Sequence, residues 1–158
     1  MNKGFKGNIY MTPPTADLTE LSLFDSAKIA KEDKRQALFN SNDVINTIKQ
    51  FVTVDYHKEI HIGSFIVNFF DAGHILGSAS LEIIDKNPNS DIKKIVFSGD
   101  LGNTPAFLEK ETEFIDLSDV VVMETTYGDR LHSKENPIDA LQTEINAVEI
   151  NGGTLLIP

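Results

Sequence analysis

Three times in this 158-residue chain an apolar run with β-strand character stops at an acidic residue set among glycine-rich or polar turn residues. FIVNFF runs into Asp71-Ala72-Gly73-His74 and then Ile75-Leu76-Gly77-Ser78. KIVFSG runs into Asp100-Leu101-Gly102-Asn103, and DVVVM into Glu124-Thr125-Thr126-Tyr127-Gly128-Asp129-Arg130. A repeated layout of this kind implies a sheet scaffold with its chemistry on the loops at strand ends. The glycines permit backbone conformations that a Cβ forbids, so they can aim a side chain into a shared crevice.

Around these turns the pattern alternates between helical and strand periods. Residues 7–11 read as a short strand stopped by Thr12-Pro13-Pro14. Thr15 is expected to cap a helix with Leu18, Leu21 and Phe24 on one face, running to about Phe39. Ser41 or Asn42 should cap a second helix bearing Val44, Ile45, Ile48 and Phe51. Residues 52–56, 59–62 and 64–71 are rich in β-branched and aromatic side chains and read as strands. Residues 79–85 and 93–98 form a hairpin across KNPNSD, and 119–124 a buried-type strand. Residues 136–150 make a helix with Ile138, Leu141, Ile145 and Val148 in a stripe, stopped by Gly152-Gly153; residues 154–157 begin one more strand. The fold class is α/β (α+β), with helices covering a sheet that contains antiparallel hairpins.

Composition narrows the function classes. With 41% hydrophobic and 24% charged residues and no Cys, the chain is neither a disordered low-complexity segment nor a disulfide scaffold. Apolar runs are a few residues long, against roughly 20 for a bilayer span, and the first residues lack the apolar core of a secretory leader. A cytoplasmic protein with no membrane partner is the expectation. The net charge of −10 is uneven: residues 1–99 hold 11 basic and 12 acidic side chains, residues 100–158 hold 3 and 12. Such a surface repels phosphate backbones unless bound cations reverse the local field.

Imidazole nitrogen with carboxylate oxygen suits zinc, manganese or iron, and one carboxylate can bridge two cations roughly 3.5–4 Å apart. From the residues alone, His74, Asp100 and Glu124 amount to a possible carboxylate–imidazole metal site. The remaining histidines carry less. His57 and His61 sit among alternating isoleucines, which favours a strand whose polar face bears both, too far apart to chelate. His132 has no evident partner.

In their order along the chain, DAGHILGSASLEI, IVFSGDLGN and DVVVMETTYGDRLH resemble consecutive signatures of the metallo-β-lactamase-fold nucleases of the β-CASP group, which process RNA. The segment GFKGNIYMTPPTADLTELSLFDSAKIA is similar to the stretch that precedes them, so the resemblance covers nearly the whole chain. It implies a partial metallo-β-lactamase αββα sandwich, mainly the second half. By resemblance, His74 would ligate one zinc, Asp100 would bridge two zincs, and Glu124 would handle protons near them. The implied activity is hydrolysis of RNA phosphodiesters, with Asp100 and Glu124 catalytic and RNA as the partner.

The chain also departs from that family. The motif His-x-His-x-Asp-His is absent, since no His precedes His57, and GGTLLIP at residues 152–158 resembles only the opening of the β-CASP segment. The expectation is therefore one partial metallo-β-lactamase-like domain over residues 1–158, with 154–158 the truncated start of a β-CASP-like segment. Such a piece of a larger nuclease would be inactive alone. It would expose an apolar sheet face and either form homo-oligomers or bind the missing segment. Two alternatives remain open: another hydrolase on the same fold, and a non-catalytic degenerate subunit.

Overall fold

The computed structural model describes residues 4–32, 38–103, 110–131 and 135–157. These fall into two compact units, Met1–Glu124 and Thr125–Pro158.

The first unit opens with strand β1 (Ile9–Met11), which pairs in parallel with β2 (Phe51–Thr53). Two helices, α1 (Pro13–Glu32) and α2 (Ser41–Ile48), connect them. A mixed five-stranded sheet follows, in the order β3 (Ile60–Ile62), β4 (Phe65–Asp71), β5 (Ala79–Asp85), β6 (Lys94–Phe97), β7 (Val120–Val122). All its pairs are antiparallel except β6 with β7, which run parallel. The mixed α/β architecture agrees with the expected class, and the hairpin of β5 and β6 lies where the alternation placed it.

Both helix starts lie earlier than the sequence pattern indicates. Thr12, not Thr15, caps α1: its carbonyl accepts the Ala16 N–H at 3.0 Å and its hydroxyl accepts the Thr15 N–H at 3.4 Å. Pro13 then occupies the first helical position, where a missing N–H costs nothing. Asn40 caps α2 through a capping box, its Oδ1 accepting from Asn42 and Asp43 while Asp43 Oδ2 accepts the Asn40 N–H at 2.9 Å. The far end of the first expected helix reaches residues 33–37, outside the described set. Leu21 of its expected inner face is exposed, and Ala27 is buried instead.

Directly opposed residues share a sheet face. Ile66, Asn68, Glu82, Lys94 and Val96 thus lie on one face, where Glu82 joins Asn68 (2.9 Å) and pairs with Lys94. The other face carries Ile60, Ile62, Phe65, Val67, Phe69, Leu81, Ile83, Ile95, Phe97, Val120 and Val122. Phe69 is buried there, whereas Ile62, Phe65, Phe97 and Val122 are exposed. The expectation of a buried strand over 119–124 needs correction. β7 is the outer strand of the sheet, and Val121 and Val122 on its two faces are both exposed.

The second unit holds α3 (Pro137–Asn151), capped by Asn136, whose side chain accepts the Ile138 N–H at 2.9 Å. The helix ends at Gly152, with φ of 70°. Its expected stripe has no buried residue; Ile138, Leu141 and Ile145 are exposed. Residues 154–157 form no strand with any described residue. Among the described residues no helix is long and apolar enough to cross a membrane.

Candidate functional site

The turn between β4 and β5 carries His74, and its shape is held by its own side chains. Asp71 Oδ1 accepts the Gly73 N–H at 2.9 Å, and Ser78 Oγ accepts the His74 and Ile75 N–H groups at 3.1 and 3.3 Å. Across the sequence, Thr12 and Thr15 at the start of α1 both donate their hydroxyls to the Gly77 carbonyl, at 2.7 and 2.9 Å. Tyr56 adds a hydroxyl to the Ser78 carbonyl at 2.8 Å. The turn is thus tied to α1 and to the segment after β2, while the His74 side chain stays exposed.

The turn after β6 carries Asp100 and lies directly against the first. Gly102 N–H donates to the fully buried Ala72 carbonyl at 2.8 Å. A Cβ on Gly102 would come within 1.7 Å of the Gly73 oxygen, so no other residue fits without displacing the backbone. Gly73 itself has φ of 65° and faces Lys110 and Thr112 backbone atoms at 2.7 Å from where its Cβ would stand. The contact between the two turns is therefore a backbone-to-backbone approach that both glycines allow.

Glu124, just past β7, closes the group. Its Oε1 accepts the Leu101 N–H at 2.7 Å, and its own N–H donates to Ser98 Oγ at 3.0 Å. His74 and Asp100 line one cleft of about 590 Å³, walled by Phe69 and Leu81 of the sheet and by Thr15, Leu18 and Leu23 of α1. The size and mixed lining suit a small ligand or part of a larger one. The structure therefore brings the turns of all three expected residues together, with Glu124 holding the loop that presents Asp100.

A metal centre is not complete among these residues. Among the described residues, no three His, Cys, Asp or Glu side chains are grouped so as to hold a metal ion. One imidazole and one carboxylate fall short of the three or four protein ligands usual for zinc, so the described residues do not fit the group by themselves. His61 contacts Glu59 at 3.6 Å on β3. His57 is not on a strand as expected: it sits in a turn with φ of 62° and meets Glu113 at 3.2 Å. His132 lies outside the described residues.

The sequence pattern marks Thr15 as a helix cap, Thr12 as a strand stop and Asp71 as an acidic strand end, but not their part in holding the His74 turn, and it does not mark Glu113. The local signal for Asp71 was present, an Asp two residues before a glycine in a turn. Glu113 touches residues 42 and 56 positions away and has no local signature.

No protein-family model matches the chain. Several known proteins are nevertheless similar to it in sequence. An RNase J-like protein of Methanocaldococcus jannaschii is 34% identical over 156 residues, covering 95% of this chain and 34% of the relative. A ribonuclease of Thermus thermophilus is 30% identical over 158 residues, covering 99% and 34%. An endoribonuclease of Kluyveromyces lactis is 26% identical over 163 residues, covering 98% and 21%. The chain spans about a third or less of the length of these curated relatives. Along nearly all of its own length, the chain is homologous to the β-CASP metallo-β-lactamase ribonucleases.

Proposed function

We propose that the chain forms one wall of a metal-dependent ribonuclease site, with His74 and Asp100 as donors to a dinuclear zinc centre and Asp100 and Glu124 as its catalytic acids. The single observation that carries this reading is the shared cleft of His74 and Asp100, with Glu124 fastened to the residue after Asp100. The relatives named as ribonucleases support RNA as the substrate class. A cytoplasmic location goes with that reading.

The residues of this chain divide the work. Asp100 and His74 are both exposed and both line the cleft, where they would offer a carboxylate and an imidazole. Glu124 holds the Leu101 N–H and so keeps the Asp100 turn in one register. Zinc, when bound, would supply charge for the developing oxyanion of the phosphodiester. The remaining donors would come from further polypeptide, either a longer form of this protein or a partner subunit. Residues 1–158 would then be a single partial metallo-β-lactamase-like domain, with 154–158 leading into a β-CASP-like segment.

The test is RNA cleavage by the polypeptide encoded in the uninterrupted reading frame that contains these residues. Chelation and Asp100→Asn should each abolish cleavage, and cleavage that survives both would overturn the reading. The shortfall of metal donors among the described residues favours a second reading, a non-catalytic subunit that pairs with an active homologue. RNA binding without cleavage, in the presence of zinc, would select it.

A further inference from the structure

The His74 turn is also held from behind the sheet. Phe69 and Phe70 are neighbours in β4 and therefore point to opposite faces. Phe69 lines the cleft, whereas Phe70 meets the edge of the His57 ring, the centroids 5.1 Å apart. His57 thus stands on the reverse side of the strand from any ligand in the cleft. Its left-handed backbone, φ 62°, is uncommon for a residue with a Cβ. Three contacts fix it: its N–H donates to the Phe69 carbonyl at 2.9 Å, its ring meets that of Phe70 at a near right angle, and its Nε2 is 3.2 Å from Glu113 Oε2.

The same Glu113 oxygen accepts the Asp71 N–H at 3.0 Å, while the Glu113 N–H donates to the Asp71 carbonyl at 2.9 Å. One residue earlier, the Thr112 hydroxyl donates to the Ala72 carbonyl at 2.9 Å, the carbonyl that also takes the Gly102 N–H. Asp71 and Ala72 immediately precede Gly73-His74. Their backbone is therefore the joint at which the His74 turn, the Asp100 turn and residues 110–113 meet.

We propose that His57 and Glu113 are a positioning pair that sets the His74 and Asp100 turns from the reverse face of the sheet. The proposal rests on the reading of those two residues as site residues. Glu113 spans two partners with one oxygen: the Asp71 N–H and the imidazole. Losing the carboxylate leaves the Asp71 N–H without its acceptor, and losing the imidazole frees one side of the carboxylate. Either change loosens residues 110–113 and, through Ala72, the hydrogen bond from Gly102. His61 cannot substitute, since its contact is with Glu59.

Native-state amide exchange of the 158-residue chain, followed by NMR without metal or RNA, tests this. Glu113→Ala should speed exchange at Asp71 and Gly102 about tenfold or more, through the lost acceptor. His57→Asn should speed it about two- to fivefold, because the imidazole is half exposed and the pair correspondingly weak. Asn tolerates the left-handed backbone, so this variant reports the missing ring rather than strain. Glu113→Gln, which keeps an acceptor oxygen, should restore most of the protection. The His74 ring resonances should shift in the first two variants, while amides of the rest of the β4–β5 ladder, residues 65–70 and 80–85, keep wild-type rates. Unchanged exchange at Asp71 and Gly102 would overturn the proposal. So would a uniform acceleration that includes the ladder, which marks a contact of general stability only. No RNA enters the measurement, so its failure is distinct from failure of the ribonuclease reading.

Discussion

The Glu124 carboxylate accepts the Leu101 N–H at 2.7 Å, so the acid just past the last strand of the sheet braces the turn that begins with Asp100. A charged acceptor on a half-buried amide contributes about 1.5–3 kcal/mol. Glu124→Ala should lower unfolding free energy by about 1–2 kcal/mol, the exposed part of the group reducing the upper figure. Glu124→Gln, with an oxygen in the same place, should recover most of it. Urea denaturation of the three proteins measures the difference; equal midpoints for Ala and wild type would show that the brace carries no load.

Gly102 allows the two turns to touch. Gly102→Ala would place a Cβ 1.7 Å from the Gly73 oxygen, a distance no rotamer change relieves. The turns must separate, and the Gly102 to Ala72 hydrogen bond with them. The expected loss is about 2–4 kcal/mol, from backbone strain and the lost Gly102 hydrogen bond together, the Ala72 carbonyl keeping the Thr112 hydroxyl as its donor. A thermal midpoint within a degree or two of wild type would contradict the close approach.

Two donors make a weak metal site. Calorimetric titration of the 158-residue chain with zinc should show only weak, poorly defined binding. Sub-micromolar affinity at one site, lost in His74→Ala and in Asp100→Asn, would mean that the donor set is completed within this chain.

Acid should weaken the fold partly through Glu82. Burial opposes ionisation of this carboxyl, but hydrogen bonds from Lys94 and Asn68 and the charge of Lys94 outweigh it, holding the group below the ordinary carboxylate range. A lowered folded value means stability that is present above the unfolded value and lost as pH falls through the folded one. Denaturation midpoints measured from neutrality downward should drop below about pH 5, and the acid limb should be flatter in Glu82→Gln. That variant should already be about 1–2 kcal/mol less stable at neutral pH. A limb of equal steepness would assign the acid sensitivity to other carboxylates.

The apolar sheet face should make the chain associate. Ile62, Phe65, Phe97 and Val122 share that face and are exposed. Sedimentation velocity should show oligomers that grow with loading, and Phe65→Thr with Phe97→Thr should shift the distribution toward monomer. Monomer at every loading of the wild-type chain would mean that the face is covered in solution.

The parts legible beforehand are those governed by local pattern. Residues 79–85 alternate over Ala79–Ile83, and the polar turn KNPNSD separates them from the next strand, so the hairpin was legible from local pattern while its register was not. Helix starts were less legible because capping depends on which backbone N–H a side chain reaches. Thr12 and Asn40 win over their neighbours by standing before the first helical residue, one ahead of a proline and the other with Asp43 three residues on. The exposure of Val121 was not legible at all: a run of valines reads as buried whether or not anything covers it. The grouping of the His74, Asp100 and Glu124 turns was anticipated from three similar strand ends. The means of grouping was not, since Gly102 against Gly73 and Glu113 against Asp71 are long-range approaches with no periodic signal.

One carbonyl, that of Gly77, receives hydroxyls from Thr12 and Thr15 and so rivets the small parallel sheet's exit to the large sheet's β4–β5 corner. The aperture of the cleft is consequently set by a pair of short fasteners at its mouth rather than by side-chain bulk along its length.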